Sequence, residues 1–217
     1  MTRPVAEIEE DLEVAFESAK KLMGELGAAT GSGFLKAAPR LAPEQLQNCK
    51  LLPNRHAILA EMPKGGIVAE VGTQRGFFAK AILETCKPER LELIDLNFDL
   101  FQRDLFEPSD LESKIGVNAG DSSKLLLSFP EHHFDWIYID ADHRYAGVKK
   151  DIQAAKSRVK EGGLLLFNDY TMFSAREMLP YGVPRAIHEF CNSEGWEFVY
   201  LGLSGVGYHD VAIRKLA

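Results

Sequence analysis

From residue 67 onward the chain alternates short runs rich in apolar residues with stretches of helical period, and few architectures accept that pattern. The runs are Ile67–Val71 (IVAEV), Leu91–Leu96 (LELIDL), Lys114–Asn118, Phe134–Ile139 (FDWIYI) and Leu164–Phe167 (LLLF). Each is too short for a buried helix, and Gly, Pro, Asp or Asn bounds it. A strand with one wet face alternates apolar and polar residues, so a continuous run needs cover on both faces. Helices between such strands act as crossovers, and the pattern predicts an α/β fold around a mostly parallel sheet. The clearest intervening helix covers Tyr145–Val159, where Tyr145, Val148, Ile152, Ala155 and Val159 share one face and Glu161-Gly162-Gly163 makes the stop.

Both ends of the chain read differently. Trp196–Leu203 and Val206–Lys215 are separated only by Ser204-Gly205. That gap suits a hairpin and not a crossover, so the last strand is expected to run antiparallel at or near the sheet edge. Residues 4–26 read as an amphipathic helix that Gly27 stops, residues 27–33 as a flexible loop, and Asn54–Met62 as a shorter helix. The expected organisation is an N-terminal helical segment over 1–62, which caps the site or forms a homodimer contact, and a main domain over 63–217.

Charge and cysteine content bound the partners. Lys plus Arg number 25 and Asp plus Glu 32, a net charge of −7 without a basic cluster, which argues against nucleic acid or an anionic membrane as the main partner. No apolar run approaches the ~20 residues that span a bilayer, and the acidic start lacks the apolar core of a secretion signal. Three widely spaced cysteines suit a reducing compartment, so a cytoplasmic location is expected.

In open parallel sheets, ligands bind beyond the carboxyl ends of the strands. After the first run comes Glu70-Val71-Gly72-Thr73-Gln74-Arg75-Gly76, a turn whose glycines let backbone N–H groups approach a ligand, or which serves only as a tight strand–helix turn. Asp95 follows Gly72 by 23 residues, a spacing suited to an acid that accepts from ribose hydroxyls. Gly120-Asp121-Ser122 offers a carboxylate for an exocyclic amine, and Asp121 suits a helix N-cap equally well. The run Asp140-Ala141-Asp142-His143-Arg144-Tyr145 gathers ionisable groups at a strand end, where structure alone needs few. Asp140, Asn168 and Asp169 are oxygen donors on adjacent strand ends, a set suited to Mg²⁺ or Mn²⁺ and not to zinc.

Together these residues resemble a class I S-adenosylmethionine-dependent methyltransferase, and within it the branch of macrocin-type sugar O-methyltransferases and cephalosporin hydroxylase-like proteins. The likeness covers about residues 64–215. Glu70, Gly72, Thr73 and Gly76 resemble the motif that cradles the methionine part of the cofactor; Asp95 matches the ribose acid, and Asp121-Ser122 the adenine-contacting pair. Ile139 to Tyr145 looks like the branch's Asp-x-Asp-His-x-Tyr signature, with Asp140 also beside the cofactor. Gly162-Gly163 through Asn168-Asp169-Tyr170 resembles its closing motif. The resemblance implies a Rossmann-like seven-stranded sheet with helices on both faces, a reversed last strand, and O-methylation of a small-molecule hydroxyl. Gln74 departs from the usual second glycine, and Asn168 replaces a carboxylate and removes one charge from the expected cation site.

In related sugar methyltransferases the base stands three residues after the first metal Asp, which here is His143; Asp142 is the runner-up, or orients His143. An imidazole with an unperturbed pKa of ~6.5 suits that task. Two rival readings stand beside this one. The first is a nicotinamide-dependent oxidoreductase or a hydroxylase, against which the missing third glycine of G-x-G-x-x-G argues. The second is a non-catalytic cofactor-binding module.

Overall fold

The computed structural model describes residues 3–216. Two compact units divide the chain, residues 1–37 and residues 38–217. In the first, helix α1 (Val5–Thr30) starts behind Pro4 and ends at Gly31, whose φ of 66° is left-handed. It outruns the expected stop at Gly27 by three residues, because Ala28 and Ala29 favour helix and the Thr30 hydroxyl bonds back to the Leu26 carbonyl at 2.8 Å. No residue of α1 is buried.

The second unit is a sheet with helices on both faces. Its elements run β1 (Lys50–Leu52), α2 (Arg55–Glu61), β2 (Ile67–Val71), α3 (Phe77–Cys86), β3 (Arg90–Asp95), α4 (Pro108–Ser113), β4 (Ile115–Ala119), α5 (Ser122–Ser128), β5 (Phe134–Ile139), α6 (Tyr145–Ala155), β6 (Val159–Tyr170), β7 (Phe173–Ser174), β8 (Leu179–Pro180), α7 (Val183–Glu194), β9 (Trp196–Gly202) and β10 (His209–Lys215). Among the described residues the main sheet has eight strands in the order β1-β9-β10-β6-β5-β2-β3-β4, and β7 pairs with β8 in a small separate sheet. The extra strand relative to the expected seven is β1, which pairs parallel to β9. Lys50–Glu61 thus belongs to the main unit, with α2 beside α3 and β9. No described helix is long and apolar enough to cross a membrane.

The apolar runs are strands because both faces are covered. Ala69, Val71, Ile137 and Ile139 face one core, which Ile152, Ile187 and Phe190 of α6 and α7 complete. Val68, Trp136 and Tyr138 face a second, with Ile58, Leu59 and Ile82 of α2 and α3. Each fully buried Leu, Ile or Phe stabilises the fold by roughly 1.5–3 kcal/mol relative to exposure.

β10 is antiparallel to both β9 and β6, as the reversed-strand expectation requires, and stands third from the sheet edge that β1 forms. The connection from β9 spans residues 203–208 and not the two of a tight hairpin. It closes through Gly207 N–H to the Ser204 carbonyl at 3.1 Å and Ser204 N–H to His209 Nδ1 at 2.9 Å. Helix α6 stops at Ala155, short of Val159, since the Ser157 and Arg158 carbonyls accept from the His132, His133 and Phe134 N–H groups at the start of β5.

Successive strands β2, β3 and β4 step outward, and the chain then returns to place β5 on the other side of β2. That reversal opens a crevice above the carboxyl ends of β2 and β5.

Candidate active site

A cleft of about 510 Å³ occupies this crevice. Backbone bonds beyond the strands fix its floor: Gly72 N–H to the Ile94 carbonyl at 2.8 Å, Asp140 N–H to the Val71 carbonyl at 2.7 Å, and Gly120 N–H to the Asp95 carbonyl at 2.8 Å. Gly72 has φ 91°, and a Cβ there would stand 1.8 Å from the Asp140 carbonyl oxygen. Only glycine fits where β2 and β5 come so close. Gln74 has φ 47°, so the turn keeps a glycine-like conformation although the side chain is not glycine.

Of the residues expected to hold a cofactor, Gly72, Asp95, Asp121, Ser122 and Asp140 line this cleft together with Asp142. Asp95 accepts from the Gln74 N–H at 2.8 Å through one oxygen. Asp121 caps α5, accepting from the Ser123 hydroxyl at 2.7 Å and the Lys124 N–H at 3.1 Å, and pairs with Lys150 at 2.7 Å. The bonds from Lys150, Ser123 and Lys124 hold its carboxyl well below the usual range.

Glu70, Thr73 and Gly76 are not on the cleft wall. Glu70 and Thr73 are buried, and Glu70 Oε2 and the Thr73 hydroxyl each lack a hydrogen-bond partner among the described residues. Burial pushes the Glu70 carboxyl well above its ordinary pKa. Gly76, at φ 86°, packs against Phe101 and shapes the start of α3.

One end of the cleft meets an ionisable cluster. His143 Nε2 lies 3.3 Å from Asp140 Oδ1 and 3.7 Å from Asp169 Oδ2, without the alignment of a hydrogen bond. Tyr181 stacks on the imidazole at 4.7 Å with the planes 10° apart. Burial lowers the His143 pKa, but Asp140 first, then Asp169 and Glu177, outweigh it and the net shift is upward. Burial raises Asp140, and it pushes Asp169 up to about 6. Asp142 faces away from this cluster toward Arg144, which bonds both its oxygens at 2.9 and 3.1 Å. Its carboxyl is held low because that pair outweighs burial.

A second cavity of about 400 Å³ opens on the far side of Asp169, lined by Arg55, His56, Asn168, Tyr208 and Asp210 among others. Sequence reasoning missed Arg55 and Asp210. Buried Asp210 accepts from the Tyr138 hydroxyl at 2.6 Å and the Asn168 amide at 3.4 Å, and burial pushes it up to about 7. The Arg55 guanidinium lies 4.7 Å over the Phe78 ring, which packs on Tyr138 at 4.2 Å.

The geometry does not show the expected cation site at Asp140, Asn168 and Asp169. Among the described residues no group of three or more His, Cys, Asp or Glu side chains is arranged to hold a metal ion. The Asn168 amide nitrogen donates to Asp210, while His143 lies within 4 Å of both Asp140 and Asp169.

No curated protein matches the sequence. Solved structures share the fold at low identity. A tRNA methyltransferase of B. subtilis is 18% identical with a TM-score of 0.55, over 76% of this chain and 67% of that one. A SAM dependent methyltransferase of Aquifex aeolicus is 18% identical at 0.53, over 75% and 89%. The 1,6-didemethyltoxoflavin-N1-methyltransferase of Burkholderia thailandensis, solved with 1,6-didemethyltoxoflavin and S-adenosylhomocysteine, is 15% identical at 0.54, over 75% and 76%. By sequence, residues 69–170, which carry the floor of the cleft together with Asp140, His143 and Asp169, match the family model described as "Methyltransferase domain".

Proposed function

We propose that this protein is an S-adenosylmethionine-dependent methyltransferase that methylates a hydroxyl of a small molecule. One observation carries the reading: Gly72, Asp95, Asp121 and Asp140, from four separate strand ends, line one cleft that meets the His143 cluster. The residues fit such a cofactor. The cleft volume suits a nucleoside with an amino-acid tail, Asp95 keeps one oxygen clear of the turn for ribose hydroxyls, and Gly72 keeps the floor open.

When bound, the cofactor supplies an electrophilic methyl group, so the protein must align the acceptor and take its proton. The second cavity, lined by Asp169, offers room for an acceptor, and Asp169 lies 3.7 Å from His143. Asp140 and Asp169 beside Nε2 hold the imidazole in place, and His143 takes the proton of the acceptor hydroxyl. The same carboxylates stabilise the imidazolium that results, and the Tyr181 ring fixes the imidazole plane and excludes water from that face. Asp142, paired to Arg144, shapes the cleft wall.

Calorimetric titration with S-adenosylmethionine and with NAD tests the reading. Binding of the first, and weaker or no binding of the second, is expected; the opposite order refutes it. A screen of labelled-methyl transfer to sugar hydroxyls, phenols, carboxylates, amines and tRNA then identifies the acceptor.

A further inference from the structure

The end of the cleft away from His143 is built by one face of α6. Gly147, Lys150 and Asp151 stand at spacings of three and four, so they share a side of the helix, and all three line the cleft. Gly147 has no side chain to fill the space; a Cβ there would meet the Asp142 carboxylate at 2.5 Å. One turn on, Asp151 is only 2% exposed, yet its carboxylate borders the cleft.

Two carboxylates therefore stand at this end, and their bonding differs. Asp121 already accepts three hydrogen bonds, two at Oδ1 from Ser123 and Lys124 and one at Oδ2 from Lys150. Asp151 accepts one, from the Ser122 hydroxyl to Oδ1 at 2.5 Å. A carboxylate has about four acceptor positions, so Asp151 keeps more unused capacity, in the place where unused capacity is most costly. Asp121 is the more exposed of the two, and its lysine partner and helix cap hold it in place without a ligand.

We infer that Asp151, and not Asp121, reads the exocyclic amine of the nucleobase held in this cleft, with Ser122 fixing the carboxylate that accepts from it. The inference rests on the cofactor reading above and assigns the adenine end of that cofactor to a residue of α6. Burial already raises the Asp151 pKa, which agrees with a carboxylate short of donors. Asp121 then acts on binding through the loop it caps and not through the base.

The test compares S-adenosylhomocysteine with its 6-oxo analogue, S-inosylhomocysteine, by calorimetry on the purified full chain. The analogue replaces the amine donor with an acceptor. Wild type is expected to prefer the adenine ligand by about tenfold to a hundredfold, the scale of a hydrogen bond to a charged group. Asp151→Asn is expected to lose that preference or reverse it, because the amide offers a donor to the 6-oxo group. Asp121→Asn is expected to change affinity for both ligands by the same factor and keep the preference. A preference that survives Asp151→Asn and vanishes in Asp121→Asn overturns the inference. Should Asp151→Asn not fold, Asp121→Asn decides alone: a kept preference supports Asp151, a lost one rejects it. Failure of wild type to bind S-adenosylhomocysteine at all refutes the cofactor reading itself, which is a separate result.

Discussion

Replacing Gly72 by alanine tests how tightly the sheet is closed beneath the cleft. The new Cβ would lie 1.8 Å from the Asp140 carbonyl oxygen, 2.4 Å from its carbon and 2.9 Å from the Ala141 nitrogen. All three are backbone atoms, so no side chain can swing aside, and ordinary contact begins near 3.4 Å. The ends of β2 and β5 must separate by about 1.6 Å, a gap that breaks the 2.7 Å bond from Asp140 N–H to the Val71 carbonyl. Overpacking costs about 1–3 kcal/mol, a left-handed φ of 91° about 1–2 kcal/mol for a residue with a Cβ, and the lost hydrogen bond about 1 kcal/mol. The stiffer unfolded chain returns about 0.4–1 kcal/mol. The net loss is about 3–5 kcal/mol, or roughly 6–20 °C in Tm for a chain of this size. Urea unfolding followed by circular dichroism measures it. Gly205→Ala is the control, since nothing lies within 4 Å of that position and it is expected to change stability by under ~0.5 kcal/mol. A loss below about 1 kcal/mol for Gly72→Ala would mean that the two strand ends yield freely, and the account of the cleft floor would be wrong.

His143→Ala is expected to slow methyl transfer by roughly 10²-fold or more while leaving cofactor affinity within twofold, read by single-turnover kinetics and calorimetry. In wild type the rate should climb with pH through a midpoint above 6.5, because the raised His143 pKa keeps the base protonated below it; a midpoint below 6.5 contradicts the carboxylate pairing. Asp210 has a native pKa near 7 against an ordinary 3.8, so the folded state binds more protons than the unfolded one across that window and its contribution weakens as pH rises. Asp210→Asn should accordingly gain stability relative to wild type between pH 4 and 8, on the order of 2–4 kcal/mol, and show a flat difference above that. Leu93→Ala, at a fully buried position in β3, is expected to cost about 2–5 kcal/mol in urea unfolding. Excess EDTA tests the cation directly: a loss of turnover restored by Mg²⁺ would place it at Asp140 and Asp169, and unchanged turnover would remove it from the reaction.

The parts legible in the sequence are those whose cause is local. Val68, Leu93 and Ile137 sit in short runs rich in apolar residues because both faces are covered, and such runs announce themselves. Gly72, Asp95 and Asp140 were legible because a strand's carboxyl end is where a ligand has to lie. What escaped was set by distant partners. The three residues of β1 become a strand only through Tyr200 to Gly202 of β9, and nothing in Lys50–Leu52 by itself says so. Arg55 and Asp210 come from opposite ends of the main unit to line the same cavity, which no spacing rule could show. Asp151 looked like one polar position on a helix whose apolar face was conspicuous, and its burial appears only once α5 packs on α6. The place of His143 beside Asp140 followed from their spacing of three, whereas its approach to Asp169 depends on β6 lying next to β5.

The placement of β10 between β6 and β9 has a bearing on synthesis. Until residues 209–215 leave the ribosome, β6 has no partner on one side, and β9 and β1 have nothing that ties them to the rest of the sheet. Two open strand edges are then available to other nascent chains. These strands therefore lock only after residues 209–215 have been made, and a chain cut short before them is prone to aggregate.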